Sequence, residues 1–192
     1  SRCILIWGAN PRHNRPPLER DLCKAAKSGA KIIVIDPRPP ERLDPGLKPA
    51  DLWLRVRPGT DAFLALAMIR VVIEEELYDK DFVQEWCVGL DQLGRHVEGY
   101  SLEEAERITW VPKDMIVAAA RLFSQTRPSC LHTRLGASAQ HINAAQAGRA
   151  IAIFAALAGN IDIPGGTLMT ELGSYRHQRS VAQMPLFPEG VE

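Results

Sequence analysis

The sequence predicts an α/β fold in which helices flank a parallel sheet. Two short apolar runs, residues 4–7 and 31–35, each lead into polar turn residues, as buried strands do. Residues 17–29, between them, place apolar side chains at helical spacing, with proline at the start and glycine at the end. A strand, a helix and a second strand in this order form a parallel pair whose carboxyl ends share one edge of the sheet. Ligands of open α/β sheets bind at that edge.

The next part of the chain predicts more helices. Residues 62–77 form a long apolar segment that Thr60 is placed to cap. Several shorter helices are expected from residue 79 to residue 126, and Asp79 and Ser101 are placed to cap two of them. This run of helices is expected to act as scaffold.

After residue 126 the pattern changes again. A turn at residues 126–128 precedes a strand that begins near Cys130. A long helix is predicted at about residues 141–158, and Gly159 is well suited to end it. Residues 167–192 show little periodicity and are expected to form an irregular tail.

Composition excludes several classes of function. The 192 residues are 46% hydrophobic and 24% charged, and 23 basic side chains balance 23 acidic ones. This is typical of a globular domain, and it gives no basis for binding nucleic acid or an anionic membrane surface. The most apolar helical run, residues 144–158, is too short to span a bilayer, so direct membrane insertion is not expected. Trp86, Trp110 and Phe82 are expected to be core or staple residues and not stacking platforms.

No metal site is predicted within this chain. The four cysteines are scattered, and no two of them form a C-x-x-C pair: Cys3, Cys23, Cys87 and Cys130. The histidines show no i, i+4 pairing and no clustering with carboxylates. The cysteines are therefore expected to be free thiols, and a zinc or iron–sulfur site carried by this chain alone is not expected.

The polar residues that follow the strands are the first candidates for a ligand site. Gly8 permits a close backbone approach, Asn10 can cap or hydrogen-bond, and Asp36 is placed to accept hydrogen bonds from ribose hydroxyls. Pro11 is expected to stop any regular element from continuing there. Each of these is also an ordinary turn residue. The nicotinamide fingerprint needs three glycines, of which only Gly8 is present, and the chain has no G-x-x-x-x-G-K-[ST] phosphate loop, so NAD and ATPase sites are disfavoured.

Two further positions have both a structural and a functional interpretation. Asp61, in the first turn of its helix, suits the helix dipole, and its carboxylate can also accept two N–H bonds from a guanine edge. Residues 136–140 (GASAQ) can offer backbone N–H groups to an anion or can simply turn the chain. The spacing alone does not choose between these interpretations.

In order and spacing, these elements resemble the molybdopterin oxidoreductases of the dimethyl sulfoxide reductase and formate dehydrogenase type. The resemblance covers nearly everything from residue 4 to residue 166. It rests on five elements: residues 7–11 (WGANP), 36–38 (DPR), 50–51 (AD) with 57–61 (RPGTD), 77–86 (LYDKDFVQEW), and 146–166. It implies an α/β fold with a Rossmann-like parallel sheet flanked by helices, of the type formed by domains 1–3 of these enzymes.

The resemblance also implies a division of the chain and a cofactor. Residues 1–126 would form the dinucleotide-binding domain, residues 127–166 a strand–helix segment of the adjacent cofactor domain, and residues 167–192 the tail. The family's cofactor is a pair of molybdopterin guanine dinucleotides that chelate molybdenum or tungsten. Its implied contacts are Gly8, Asn10 and Pro11 along the phosphate and ribose, Asp36 and Arg38 near the ribose and base, Asp61 on the guanine, and Gly136 and Gln140 closer to the pterin and metal.

The chain also departs from the family's usual pattern. Relatives carry an upstream four-cysteine iron–sulfur motif or its remnant, a metal-ligating residue, and a final domain downstream, none of which is in this sequence. Ala137 and Ser138 stand where many relatives have another glycine. The resemblance therefore implies an internal fragment that is not catalytic alone. Its partners would be the remaining domains of the parent enzyme and an electron-transfer subunit, and an iron–sulfur cluster would be bound elsewhere in that parent.

Two other classes of protein stay open on the residues alone. An NAD-dependent dehydrogenase domain would explain the strand–helix–strand unit and Asp36, but the missing glycines oppose it. A noncatalytic NAD-fold module, such as the central domain of thiamine-diphosphate enzymes, would explain the fold without any ligand.

Overall fold

A computed structural model describes residues 1–41 and 46–168. Within these ranges four strands form one parallel sheet in the spatial order β3-β2-β1-β4. The strands are β1 (Cys3–Trp7), β2 (Lys31–Ile35), β3 (Leu52–Leu54) and β4 (Ser129–Thr133). A parallel sheet flanked by helices confirms the predicted fold class. The three-residue edge strand β3 was not predicted, because so short a run of LWL carries too little periodicity to stand out.

Nine helices lie within the described ranges, and five of them follow one another between β3 and β4. They are α1 (Pro11–Asn14), α2 (Pro16–Lys27), α3 (Asp61–Glu74), α4 (Lys80–Trp86), α5 (Leu90–Val97), α6 (Leu102–Thr109), α7 (Lys113–Gln125), α8 (Leu135–Ser138) and α9 (Ala144–Leu157). None of them is long and apolar enough to cross a membrane. The predicted irregular tail lies outside the described residues from residue 169 onward.

Alternation along β1 divides the core into two layers. Cys3, Leu5 and Trp7 point to one face, where they join the buried side chains of α3, α7 and α9. Ile4 and Ile6 point to the other face, where they pack with β2 and the inner stripe of α2. Both faces of the central strands are therefore buried, as expected for a parallel sheet.

The strands that surround β1 end at the same level. Trp7, the last residue of β1, is in register with Ile35 of β2 on one side and with Thr133 of β4 on the other. The chain leaves all three strands at one edge of the sheet. The loops that follow are therefore brought together, as the order of elements predicts.

Two of the predicted helix caps are confirmed, and the third acts differently. The carboxylate of Asp79 accepts the N–H of Phe82 (3.0 Å), and the hydroxyl of Ser101 accepts the N–H of Glu104 (3.1 Å). Thr60 occupies the cap position of α3, but its hydroxyl donates to the carbonyl of Arg57 (2.7 Å). The α3 cap therefore ties the helix start to the preceding loop.

Other local predictions were wrong for physical reasons. Pro11 does not stop a regular element: it opens the helical turn α1, because its fixed φ and missing N–H suit a first helical position.

Trp86 and Trp110 are 70% and 64% exposed and do not pack in the core. On the short helix α4 the buried residue is Val83, which leaves Trp86 on the outward side. The guanidinium of Arg57 lies over the Trp110 ring, 5.1 Å from its centroid.

The segment at residues 127–166 completes the same sheet. Its strand β4 pairs with β1, and its helix α9 packs along α3. The assignment of this segment to an adjacent domain of a parent enzyme stays a prediction.

Two glycines test how strongly the packing at the end of β1 constrains the fold. We expect Gly8→Ala to lower the free energy of unfolding by about 3 kcal/mol or more, because φ there is +59° and a Cβ would lie 2.7 Å from Cβ of Ala137. Gly29→Ala is the matched control: its φ is +89°, but a Cβ would meet nothing within 4 Å, so only the backbone term of about 1 kcal/mol applies. Urea denaturation measures both, and equal losses would contradict the packing account.

Candidate functional site

An open cleft of about 680 Å³ lies at the edge of the sheet where β1, β2 and β4 end. The turns after these strands, the loop before α3 and the segment around α8 form its walls. Seven of the eight predicted site residues line it: Gly8, Asn10, Asp36, Arg38, Asp61, Gly136 and Gln140. Residues separated by more than a hundred positions in the chain therefore meet in one place.

The back of the cleft depends on contact between two glycines. Gly8 has a left-handed φ of +59°, and its N–H donates to the carbonyl of Ile35 (2.9 Å). A Cβ on Gly136 would lie 2.7 Å from the carbonyl oxygen of Gly8. Neither position therefore has room for a side chain. The predicted close backbone approach at Gly8 is confirmed, and the backbone that it meets is that of α8.

The turn after β2 holds the second predicted carboxylate. Asp36 Oδ1 accepts the backbone N–H of Arg38 (2.9 Å), which closes a tight turn, and the Asp36 side chain is 14% exposed. The carbonyl of Asp36 accepts the indole N–H of Trp53 (2.9 Å). Arg38 is largely exposed at the rim, with Nε 4.0 Å from the Asp36 carboxylate. The turn thus presents one carboxylate and one guanidinium to the cleft.

Asn10 lies across the cleft from this turn. Its carbonyl accepts the backbone N–H groups of His13 (3.2 Å) and Asn14 (2.9 Å), which starts α1. Its amide nitrogen donates to Glu41 Oε1 (3.4 Å), and the same oxygen lies 2.8 Å from His13 Nε2. The hydrogen bond from the His13 imidazole is the main reason that the pKa of Glu41 is lowered. Asn10 is thereby oriented from both its backbone and its side chain.

Asp61 is the most deeply buried charged residue of the cleft wall. Only 4% of it is exposed, and Oδ1 accepts the indole N–H of Trp7 (2.8 Å). The other oxygen, Oδ2, lies 4.0 Å from Nε2 of His141. Burial raises the pKa of Asp61, against the opposing effects of the Trp7 hydrogen bond, its own backbone N–H and His141, while Asp36 raises it further. The fold therefore holds a desolvated carboxylate at a sheet edge.

Cationic groups stand near the third strand end. Arg134, directly after β4, lines the cleft, as does His141. The pKa of His132 is lowered, first because its ring is buried and then because Arg15 and Arg134 lie nearby. Arg38 and Arg134 thus bring two guanidinium groups to the cleft, and such groups suit phosphate oxygens.

The sequence did not single out Arg134 or His141 as site residues, and it placed Pro11 differently. His141 follows Gln140 directly, so its position beside the small-residue turn was the available signal. Arg134 follows a predicted strand, as Asp36 does, which is the same kind of signal. Pro11 is buried and faces a narrow crevice beside Ile6 and Val34 instead of the cleft.

The same residues define what the cleft can do chemically. Within the described ranges no three His, Cys, Asp or Glu side chains come together as a metal site, and none of the four cysteines forms a disulfide. The cleft offers a buried carboxylate (Asp61) and a half-buried one (Asp36) to N–H and O–H donors, and it offers guanidinium groups to anions.

Comparison with known proteins identifies the family. Residues 1–181 match the molybdopterin oxidoreductase family. Acetylene hydratase of Syntrophotalea acetylenica is 39% identical over 161 residues, which are 83% of this chain and 21% of that protein. Dimethyl sulfoxide reductase DmsA of Escherichia coli (strain K12) is 34% identical over 201 residues, 91% of this chain and 24% of that protein.

A solved structure gives the same relation in three dimensions. Acetylene hydratase from Pelobacter acetylenicus superimposes with a TM-score of 0.74 at 38% identity, covering 83% of this chain and 22% of the other. The chain spans about a fifth to a quarter of the length of these relatives. The family match extends over most of the chain and includes every element of the cleft, so this chain belongs to the molybdopterin oxidoreductase family.

Proposed function

We propose that the cleft binds the guanine dinucleotide part of one half of a bis-molybdopterin cofactor. On this proposal the chain is a cofactor-holding part of a larger molybdenum or tungsten oxidoreductase and does not catalyse alone. The observation that supports it most strongly is the buried carboxylate of Asp61 in the wall of a cleft that three parallel strands form. A desolvated carboxylate with no cation in hydrogen-bond contact is costly unless something else uses it.

Guanine is the base that suits this carboxylate. Its N1–H and 2-amino groups are adjacent donors, and a carboxylate can accept both at once. The Trp7 indole occupies one lone pair of Oδ1 and the backbone N–H of Asp61 occupies another lone pair of the carboxylate, which leaves two of its about four lone pairs for a ligand. Adenine lacks the N1–H donor, and hypoxanthine lacks the 2-amino group. Asp61 therefore favours guanine over both.

The rest of the cleft fits the remainder of a nucleotide. Asp36 is placed to accept hydrogen bonds from ribose hydroxyls, and Asn10 can donate or accept beside the phosphates. Arg38 and Arg134 supply positive charge at the rim. The close contact between Gly8 and Gly136 holds the turns after β1 and β4 together at the back of the cleft. A volume of about 680 Å³ is sufficient for one nucleotide.

In the parent enzyme, the molybdopterin supplies the metal-centred redox chemistry. The residues of this chain would bind and orient the dinucleotide, and Gln140, on the α8 side of the cleft, would lie nearest the pterin. The proposal further includes the remaining domains of the parent as partners, an electron-transfer subunit, and an iron–sulfur cluster bound outside this chain. Asp61→Ala in that parent should then lower both the metal and the guanine content.

Guanine selectivity is measurable on the 192-residue chain itself. We expect guanosine diphosphate to bind with a Kd in the micromolar to millimolar range, and Asp61→Asn to weaken it at least about tenfold, because an amide cannot accept both donors. Isothermal titration with guanosine, inosine and adenosine diphosphates measures this. Asp114→Asn is the matched control, since Asp114 also occupies a first helical turn but lies outside the cleft.

The competing functions predict different results. A nicotinamide dehydrogenase domain would bind NADH in preference to guanosine diphosphate. A noncatalytic module would bind no nucleotide at all. Equal affinity for the three diphosphates, or no loss in Asp61→Asn, would remove the guanine role of Asp61.

Burial of the Asp61 carboxylate also predicts that the variant which weakens binding is the more stable protein. Because the pKa of Asp61 is raised by burial, its ionised form destabilises the folded chain, so Asp61→Asn should increase the free energy of unfolding at neutral pH. The gain should shrink as the pH falls through the raised pKa and vanish below the ordinary value of 3.8, where wild-type Asp61 is protonated in both states. Thermal denaturation across this range tests it, and a less stable Asp61→Asn at neutral pH would contradict it.

A further inference from the structure

Trp7 occupies an unusual position for a core aromatic residue. It is fully buried at the end of β1, yet its indole N–H reaches the cleft wall and donates to Asp61 Oδ1 over 2.8 Å. The two residues lie 54 positions apart, so this bond joins the central strand to the first turn of α3. The following residue, Gly8, itself lines the cleft.

Satisfying a buried indole does not require a carboxylate. The half-buried Trp53, in the edge strand β3, donates its indole N–H to the backbone carbonyl of Asp36 (2.9 Å), which is an uncharged acceptor. Trp7 donates to a charged side chain that has lost almost all of its water. A hydrogen bond to an ionised acceptor in such a place is stronger than a neutral one and fixes the acceptor's rotamer.

The groups around Asp61 oppose one another. Asp36, after β2, disfavours a second negative charge, while His141, after α8, favours it from 4.0 Å when protonated. The backbone N–H groups at the start of α3 also favour the charge. Arg38 and Arg134 line the same cleft. Of these groups, the Trp7 indole is the one side chain of the described residues that donates a hydrogen bond to the carboxylate within 3 Å.

We infer that Trp7 is a positioning residue for ligand binding: its indole N–H holds the Asp61 carboxylate ionised and turned so that Oδ2 faces the donor edge of a bound base. This rests on the proposed guanine site. It assigns to the tryptophan of the WGANP turn a role that sheet packing alone does not require. Loss of the N–H should therefore affect the ionisation of Asp61 and not only the stability of the core.

Trp7→Phe keeps an aromatic ring and removes the donor. We expect its Kd for guanosine diphosphate to exceed that of the wild type by about tenfold near pH 5 but by less than about threefold near pH 8, where Asp61 is ionised in both proteins. Trp53→Phe is the matched control for losing a half-buried indole and its hydrogen bond. It should lower stability without changing the pH dependence of binding, and Trp86→Phe, on the surface, should change neither.

A second measurement needs no tryptophan variant and no ligand. The indole N–H proton of Trp7, followed by NMR in the wild-type chain, should shift with pH in step with the Asp61 carboxyl carbon. The same proton should not titrate in Asp61→Asn. The indole proton of exposed Trp86 is the internal reference.

The outcomes separate the two proposals. If the wild-type chain binds no guanine nucleotide but Trp7 titrates with Asp61, the proposed function fails and the coupling survives as a structural fact only. If guanosine diphosphate binds and needs Asp61, but Trp7→Phe leaves the affinity unchanged at both ends of the pH range, the positioning role is overturned. Equal weakening at both ends overturns the part of the proposal that concerns the ionisation of Asp61. An indole proton that ignores the ionisation of Asp61 overturns it as well.

Discussion

Contact between two backbones shapes the functional edge of this protein. The turn after β1 and the turn after β4 touch at Gly8 and Gly136, where neither residue leaves room for a Cβ. Without this contact, the turns that follow the paired strands β1 and β4 would diverge. Because the glycines let the two turns meet, Asp36, Asp61 and the α8 segment are drawn around one opening. The cleft therefore results from the shared register of the strands and from the absence of side chains at Gly8 and Gly136. These two features also determine where its polar residues lie.

At this edge of the sheet, the buried charge of Asp61 lowers the stability of the folded chain. Burial in the wall disfavours its charge, and the Trp7 indole and the α3 amides offset that cost only in part, since the pKa stays raised. A side chain kept for packing alone would be better apolar at this position. Groups that destabilise the free protein but satisfy a ligand are common at binding sites, because the ligand supplies the missing partners. On the proposed function Asp61 has this character, and the surface ion pairs such as Arg121–Glu75 do not.

The sequence predicted those parts of the fold that are determined by residues close together in the chain. The strand–helix–strand unit, the caps at Asp79 and Ser101, and the helix ended by Gly159 all follow from residues that are close in the chain. The edge strand β3 and the exposure of Trp86 did not follow, because a three-residue strand and a seven-residue helix carry too few positions to show a period.

The same distinction applies to the site. Strand ends are visible in a sequence, so Gly8 and Asp36 could be placed at the sheet edge without a structure. The Trp7–Asp61 bond and the nearness of His141 could not, because they depend on how α3 and the α8 segment pack against the sheet. Family resemblance supplied Asp61, but only the packing explains how its carboxylate is held.

A chain whose described residues hold no cluster of three His, Cys, Asp or Glu side chains can still influence a metal centre. On the proposed function, the dinucleotide is gripped here while the reactive end of the cofactor lies beyond the α8 side of the cleft. Binding of the dinucleotide fixes the reactive end of the cofactor only if the protein structure between these two ends is rigid. The strand ends that carry Gly8 and Asp36 are buried on both faces, and the close Gly8–Gly136 contact leaves little slack between the sheet and α8. On the proposed function, the ligand contacts lie on strand ends, and the Trp7–Asp61 hydrogen bond supports the contact with the base. Binding of the nucleotide would therefore also fix the position of the rest of the cofactor.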